Sequence, residues 1–135
     1  MANNETTPKW ITTRTQADID NDTELAYITY TDLNRISEHI NELLTMAGFS
    51  AGPCKTDWEK ITSQNSENNF PTQDTIYIML WKISLLCKDY GIDFEIYKNK
   101  ENRLGNYLTI YHMNYIEETL HNLYLKLTDA QNSST

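Results

Sequence analysis

The sequence predicts a mainly α-helical protein: a small bundle of three amphipathic helices, with a short extra N-terminal helix and a minor β-hairpin near residues 92–108. Three segments carry apolar residues at steps of three and four, as helices with one buried face do. The chain has 135 residues, a length typical of one domain whose core needs no disulfide. Its nine Tyr and three Trp are typical of a folded rather than a disordered chain.

Domain boundaries follow from composition. Residues 1–9 are predicted to be a flexible arm, residues 10–128 a single helical domain, and residues 129–135 a flexible polar tail. The first helix is expected to begin at Thr15, whose hydroxyl can cap free first-turn N–H groups, with Asp18 in its first turn. Further acids follow closely, so this helix is expected to be short and solvated.

Three longer helices follow, and each is predicted to open at a threonine. The first opens at Thr31 or Thr29, of which Thr31 is taken as the cap, and it stops at Gly48. The second is apolar on more than one face, since Ile78 and Trp81 lie outside its stripe, and is therefore expected to be the most buried element. The predicted N-cap residues are Thr15, Thr31, Thr72 and Thr109.

Between the second and third long helices the pattern changes. Residues 92–97 mostly alternate apolar and polar side chains, which is typical of a half-buried strand. Leu104 and residues 107–108 can supply a short partner strand after a polar turn. These segments are the predicted hairpin.

An internal repeat links the helices. Each unit is an extended lead-in, a Thr, and a helix with apolar positions four, seven, eleven and fourteen residues after that Thr. The third helix matches the first 80 residues later, and the second helix matches the first more loosely at an offset of 43. The identical pairs are Tyr27/Tyr107, Thr29/Thr109, Asn34/Asn114, Ile36/Ile116, Glu38/Glu118 and Leu43/Leu123.

Charge and composition disfavour several classes of partner. The formal net charge is −8, from 19 acidic and 11 basic residues, so binding to nucleic acid or to an anionic membrane is not expected. The most apolar run, residues 76–81, is far shorter than the roughly 20 residues of a membrane-spanning helix. The N-terminus lacks the pattern of an export signal.

Residues capable of catalysis or metal binding are present but do not form a recognised motif. Glu117 and His121 lie four apart, as metal ligands can, but a solvated pair is the preferred interpretation. Cys87 falls on the apolar stripe and is expected to be inert, whereas Cys54 follows a Gly-Pro loop. No glycine-rich phosphate loop occurs. We therefore expect no enzyme activity, no catalytic residue, no metal and no cofactor.

Two stretches carry a family resemblance. Residues 10–20 read Trp-Ile-Thr-Thr-Arg-Thr-Gln-Ala-Asp-Ile-Asp, and residues 30–36 read Tyr-Thr-Asp-Leu-Asn-Arg-Ile. Together with the Pro-Thr-Gln at residues 71–73, they resemble small structural proteins of tailed phages and prophages of Gram-positive bacteria. Ser37 stands where such sequences usually have Glu, and Tyr77 stands where the other two repeats have Asn.

The resemblance implies a non-enzymatic virion structural protein of the tail tip, baseplate or fibre attachment, made in the host cytoplasm. Its partners would be other tail or baseplate proteins and further copies of itself. Aromatic residues near helix starts are the predicted interface, because such rings dominate many protein interfaces. The alternatives are a small acidic phage-encoded inhibitor of a host protein and a sugar-binding module with an exposed Trp. The predicted interface residues are Trp10, Trp58, Tyr30, Tyr111 and Tyr115.

Overall fold

The computed structural model of the chain describes residues 10–60, 73–94 and 109–133. Its elements are α1 (Gln16–Asp20), a 3-10 turn (Glu24–Ala26), α2 (Tyr30–Ala47), α3 (Gln73–Tyr90) and α4 (Ile110–Ser133). The predicted fold class is confirmed: three long helices form a small bundle, preceded by one short helix.

Three predicted segments differ from the structure or lie outside it. The hairpin near residues 92–108 falls mostly outside the described residues, and residues 92–94 form no strand. The predicted arm, residues 1–9, also lies outside them. α4 continues to Ser133, so residues 129–133 extend the helix where a tail was predicted. Leu127, only 2 % exposed, still contacts the core, and neither Gly nor Pro follows it to stop the helix.

The short helix α1 has the predicted cap. Thr15 precedes it in an extended conformation, and the backbone N–H of Thr15 donates to Asp18 Oδ2 at 2.8 Å. None of the residues of α1 is buried, as expected for a short solvated helix. The N-terminus of α1 is therefore held by a hydrogen bond to its own Asp18 rather than by packing against the core.

The prediction that Thr31 caps α2 is wrong, because the N-cap lies two residues earlier, at Thr29. Thr29 is the N-cap, with extended backbone angles, and its N–H donates to Asp32 Oδ2 at 2.9 Å. An acid three residues after the cap completes this bond, whereas a cap at Thr31 would place the amide of Asn34 there. The acid, more than the threonine, determines where the helix starts.

The ends of α2 and α3 share one geometry. Gly48 follows α2 with φ of +77°, and the N–H of Phe49 donates to Leu44 O at 2.9 Å. Gly91 follows α3 with φ of +69°, and the N–H of Ile92 donates to Cys87 O at 3.0 Å. Both helices thus end in a left-handed glycine, at positions that correspond under the offset of 43 residues.

Of the two remaining predicted caps, Thr72 and Thr109, the structure describes the one at α4. Thr72 lies outside the described residues. At α4, the N–H of Thr109 donates to His112 Nδ1 at 3.1 Å, and the N–H of His112 donates to Thr109 Oγ1 at 3.2 Å. Thr109 therefore caps α4 as predicted, with a histidine in the place that an acid holds in α1 and α2.

The three long helices run in the same direction. The first halves of all three line one small apolar cavity of about 20 Å³. Towards their other ends, Lys126 Nζ of α4 donates to the carbonyl of Tyr90, the last residue of α3, at 3.2 Å. The cavity is lined in part by Leu33 and Ile36 of α2, Met79 and Ile83 of α3, and Met113 and Ile116 of α4.

Core positions follow the sequence repeat. Residues matched at the offsets of 43 and 80 line the cavity or are fully buried beyond it. Burying one such side chain stabilises the fold by about 1.5–3 kcal/mol. The fully buried matched sets, each 0 % exposed, are Ile40, Ile83 and Leu120, followed by Leu43, Leu86 and Leu123.

Two extended segments lie along the helices. We call residues 10–14, which lie along α4, the N-terminal strap. We call residues 52–58, which lie along α2, the connector strap. Asn114 Oδ1 accepts from the N–H of Arg14 at 3.0 Å, and Asn114 Nδ2 donates to Arg14 O at 2.8 Å. Asn34 makes the same two bonds to the backbone of Trp58, at 2.7 and 2.9 Å. The Asn pair that is identical in the repeat thus has one structural role.

Candidate functional site

A cluster of buried charges joins the N-terminal strap to α2 and α4. Arg35 Nη2 lies 2.6 Å from Glu117 Oε2 and 2.9 Å from Asp32 Oδ1. Arg14 Nη2 lies 3.0 Å from the same Asp32 oxygen and 3.9 Å from Glu117 Oε2. The Arg14 and Glu117 side chains are 1 % and 0 % exposed, so two positive and two negative charges meet out of water.

Hydrogen bonds satisfy this cluster beyond its ion pairs. Arg14 Nη1 donates to the carbonyls of Leu25 and Tyr27 at 3.0 and 3.1 Å, and Glu117 Oε1 accepts from the N–H of Ile11 at 3.1 Å. Burial lowers the pKa of the Arg35 guanidinium, but its bonds to Glu117 and its attraction to Asp32 outweigh burial, so the pKa is raised. The cluster holds elements together, and among its side-chain nitrogens and oxygens Arg14 Nε is buried without a hydrogen-bond partner.

The same cluster contradicts one sequence interpretation. Glu117 and His121 were expected to be a solvated pair, but Glu117 is fully buried and bonded to Arg35. Arg14, Asp32 and Arg35 belong to the two stretches that carry the family resemblance. Those stretches are therefore structural: they close the bundle with the strap.

Trp10 lies between two histidine rings. Its ring centroid is 3.9 Å from that of His39 on α2, at an interplanar angle of 16°, and 4.8 Å from that of His121 on α4, at 18°. Tyr124 adds a tilted contact at 5.8 Å. Trp10, a predicted interface residue, is therefore half-buried within the chain, where it packs the N-terminal strap onto both helices.

The other predicted interface residues divide into two groups. Trp58 is only 6 % exposed, so its face is not open to a sugar or to a neighbouring protein. Tyr115 is half-buried and stacks on Phe94 at 5.4 Å between centroids. Tyr30 and Tyr111 are exposed by 39 % and 56 %, and Tyr111 OH donates to Gln16 Oε1 at 3.2 Å. Only these two tyrosines lie on open surface among the predicted five.

The prediction that α3 is the most buried element is wrong, and its error locates an apolar surface. Ile78 and Trp81 are 53 % and 52 % exposed, and the half-buried Leu85 follows them on the same helix face. We call these three residues the α3 outer face. Under the repeat, Trp81 corresponds to Glu38 of α2 and Glu118 of α4, which are both exposed acids. The signal was present in the sequence, as two apolar residues outside the stripe.

The thiols have different surroundings. Cys87 is 2 % exposed, as expected for a core residue, and burial raises its pKa to about 12. Cys54 is half-buried, and burial raises its pKa more than the nearby Lys82 ammonium, whose Nζ lies 3.9 Å from Sγ, lowers it. Both thiols are therefore predominantly protonated at neutral pH, when they are poor nucleophiles.

Neither a metal-binding cluster of three or more side chains nor a membrane-spanning helix occurs in the described part of the chain. Residues 10–60, 73–94 and 109–133 contain no group of three or more His, Cys, Asp or Glu side chains placed to hold a metal ion. Within the same ranges, no helix combines the length and the apolar character needed to cross a membrane.

Comparison of the chain with protein-family models, with curated protein sequences and with solved structures finds no match. The candidate functional site is the α3 outer face, because Ile78 and Trp81 are both more than half exposed there. The exposed Tyr30 and Tyr111 are further surface aromatics.

Proposed function

We propose that the protein is a non-enzymatic structural subunit of a tailed-phage particle, made in the host cytoplasm and placed at the tail tip, baseplate or fibre attachment. The resemblance of residues 10–20 and 30–36 to such proteins supports this proposal. The observation that carries the binding role is the α3 outer face, with Ile78 and Trp81 more than half exposed. Exposed tryptophans are frequent anchors of protein interfaces.

The partner at the α3 outer face is a neighbouring protein of the particle, and contacts between copies of the chain use other surfaces. Each copy carries a net charge of −8, so pairing two copies through one face brings like charges together. A partner with an apolar patch bordered by basic residues would complement both the face and the charge. The expected binding mode is one tryptophan anchor seated in an apolar pocket of that partner.

Mass spectrometry of purified particles tests the location. A structural subunit is expected at a fixed copy number relative to the major tail proteins. Absence of the protein from particles, while it is abundant in infected cells, would contradict the proposal.

The variant Trp81→Glu tests the face itself. It introduces at position 81 the acidic residue that α2 and α4 carry at the corresponding positions. It should leave the fold intact because the side chain is exposed. We expect the variant to fold but to be missing from particles. Glu118→Ala, at the corresponding exposed position of α4, is the matched control and should be incorporated normally.

The second candidate function is a small acidic inhibitor that binds a host protein, which the net charge of −8 favours. Such a protein would be absent from particles and would bind a single basic host protein. That binding would weaken steeply with added salt, because exposed charges are screened. The particle measurement separates the two functions directly.

A further inference from the structure

The groove between α2 and α4 is filled by a segment that is distant in sequence. The N-terminal strap reaches it through the two bonds from Asn114 to Arg14, the bond from the Ile11 N–H to Glu117, and the stacking of Trp10 on His39 and His121. All of these contacts are noncovalent, and they join residues 100 or more positions apart in the chain or lie across two helices.

The connector strap shows the contrasting arrangement. It lies on α2 and follows directly from α2 in the chain, so its binding to Asn34 is a local, intrachain contact. The strap on α4 instead arrives from the other end of the sequence. The groove of α4 therefore recognises residues 10–14 by contacts that the same residues of another copy can make equally well.

The tether of the N-terminal strap is held by local hydrogen bonds rather than by buried contacts: Thr23 Oγ1 donates to Asp18 Oδ1 at 2.8 Å, and Tyr27 OH donates to Asp22 Oδ1. Neither α1 nor the 3-10 turn has a buried residue, and residues 21–23 between them are exposed. Asp22 adopts a left-handed conformation with φ of +55°, which is uncommon outside glycine and costs energy. An extended conformation at Asp22 would remove this strain, at the expense of the bonds between Thr23 and Asp18 across the hinge.

We propose that copies of this chain exchange their N-terminal straps, so that residues 10–20 of one copy occupy the groove between α2 and α4 of another, with residues 21–23 as the hinge. Arg14 of the donor copy then binds Asp32, Leu25 O and Tyr27 O of the acceptor, because residues 24–32 stay with the acceptor bundle. The closed and exchanged forms have the same strap contacts, so concentration and hinge conformation decide between them. This inference is independent of the proposed function in a phage particle.

Cross-linking between two single-cysteine chains tests the exchange. Gln16 of α1 and Tyr111 of α4 are in contact and exposed, so Gln16→Cys and Tyr111→Cys are expected to fold. Both are made in a Cys54→Ala background, and Cys87 is buried. The two chains are mixed and treated with a short bis-maleimide, and the cross-linked heterodimer is counted. It is expected at about 1 mM protein and should fall about hundredfold at about 10 µM, where the tethered closed form prevails.

Two control variants accompany the cross-linking experiment. Leu125→Cys, an exposed site further along α4, replaces Tyr111→Cys and should give little heterodimer with Gln16→Cys. The double variant Gln16→Cys/Tyr111→Cys should cross-link within one chain and so reports the closed form. Equal yields for Tyr111→Cys and Leu125→Cys, no heterodimer at about 1 mM, or no intrachain cross-link in the double variant would each overturn the proposal.

The hinge provides a second measurement in the same assay. Asp22→Pro forbids positive φ and should raise the heterodimer yield. Asp22→Gly permits positive φ without strain and should lower that yield. Equal yields for these two variants would contradict residues 21–23 as the hinge, whatever the overall amount of dimer.

Discussion

At position 117 a fully buried carboxylate accepts hydrogen bonds from the Arg35 guanidinium and from the backbone of Ile11. Glu117→Gln preserves the shape but leaves two buried guanidiniums with Asp32 as their shared carboxylate in the cluster. We expect the free energy of unfolding to fall by about 3–5 kcal/mol, as when one partner of a buried ion pair is removed. Urea unfolding measures this loss.

Glu118→Gln is the control for that prediction. Glu118 is the exposed neighbour of Glu117 on the same helix, and removing its charge should change the free energy of unfolding by less than about 0.5 kcal/mol. Similar losses for the two variants would mean that the buried cluster contributes no more than an ordinary surface charge.

Cys87 gives a prediction about reactivity and pH. Because Cys87 is almost fully buried and burial raises its thiol pKa to about 12, iodoacetamide should label it only after unfolding, whereas the half-buried Cys54 should be labelled slowly in the folded protein. The folded pKa exceeds the ordinary value of 9.0, so the corresponding stabilisation is present below that value and is lost as pH rises towards about 12. Peptide mass mapping after native and denatured labelling checks the first part, and unfolding of Cys87→Ala at alkaline pH checks the second. Labelling of Cys87 in the native state at neutral pH would contradict its burial.

At the residue scale, the sequence predicted the buried stripe but not the buried charges. The period of apolar residues assigns Ile40 or Leu123 to the core without knowledge of their neighbours. The burial of Glu117 depends on Arg14 and Arg35, which are distant in sequence, and no local pattern records that pairing. Trp58 was missed similarly, because its burial depends on a loop position fixed by Asn34.

Helix caps give a prediction at the scale of elements. Thr29→Ala should lower the free energy of unfolding by about 1 kcal/mol, because Thr29 is the N-cap of α2. Thr31→Ala should change it by less than about 0.5 kcal/mol, since Thr31 is the second residue of the helix and exposed. Thermal unfolding of the two variants compares them directly. A larger loss for Thr31→Ala would place the start of α2 where the sequence analysis first placed it.

The helices were more predictable than the segments that connect them. Stripes, capping threonines and stop glycines place α2 and α3 within a few residues of their observed bounds, whereas α4, which no glycine follows, runs past its predicted end to Ser133. The straps have no regular periodicity, since their backbone groups bond to side chains such as Asn41, which both donates to and accepts from the backbone of Cys54. A bond of this kind depends on tertiary placement, although the repeated Asn34 and Asn114 are a sequence sign of it.

At the scale of the whole molecule, two isoleucines of α3 separate core from surface. Ile83 is 0 % exposed at the level of Ile40 and Leu120, whereas Ile78 is 53 % exposed. We expect Ile83→Ala to lower the free energy of unfolding by about 2–5 kcal/mol. Ile78→Ala should leave it within about 0.5 kcal/mol. Urea titrations followed by circular dichroism test both, and comparable losses would contradict the assignment of the α3 outer face to solvent.

The whole fold was predictable as a class but not as an arrangement. One-sided apolar helices must pack on one another, and this requirement already implies a bundle. Their common direction depends on long returning connections, and the sequence shows only that residues 48–72 are long enough for one. The sequence analysis assigned the residues of the α3 outer face to the core. Their exposure shows that an apolar side chain favours burial, but that the sequence does not show whether its own chain or another molecule covers it.

The common direction of α2, α3 and α4 also has an electrical consequence. Each helix carries roughly half a positive elementary charge at its N-terminus and half a negative one at its C-terminus. In an up-down bundle these dipoles largely cancel, whereas here three of them add along one axis. The partial positive charge of the N-terminal ends lies beside the exposed acids of α1, since Gln16 of α1 contacts Tyr111 at the start of α4, so the dipoles offset part of the negative charge that these acids bring to that end.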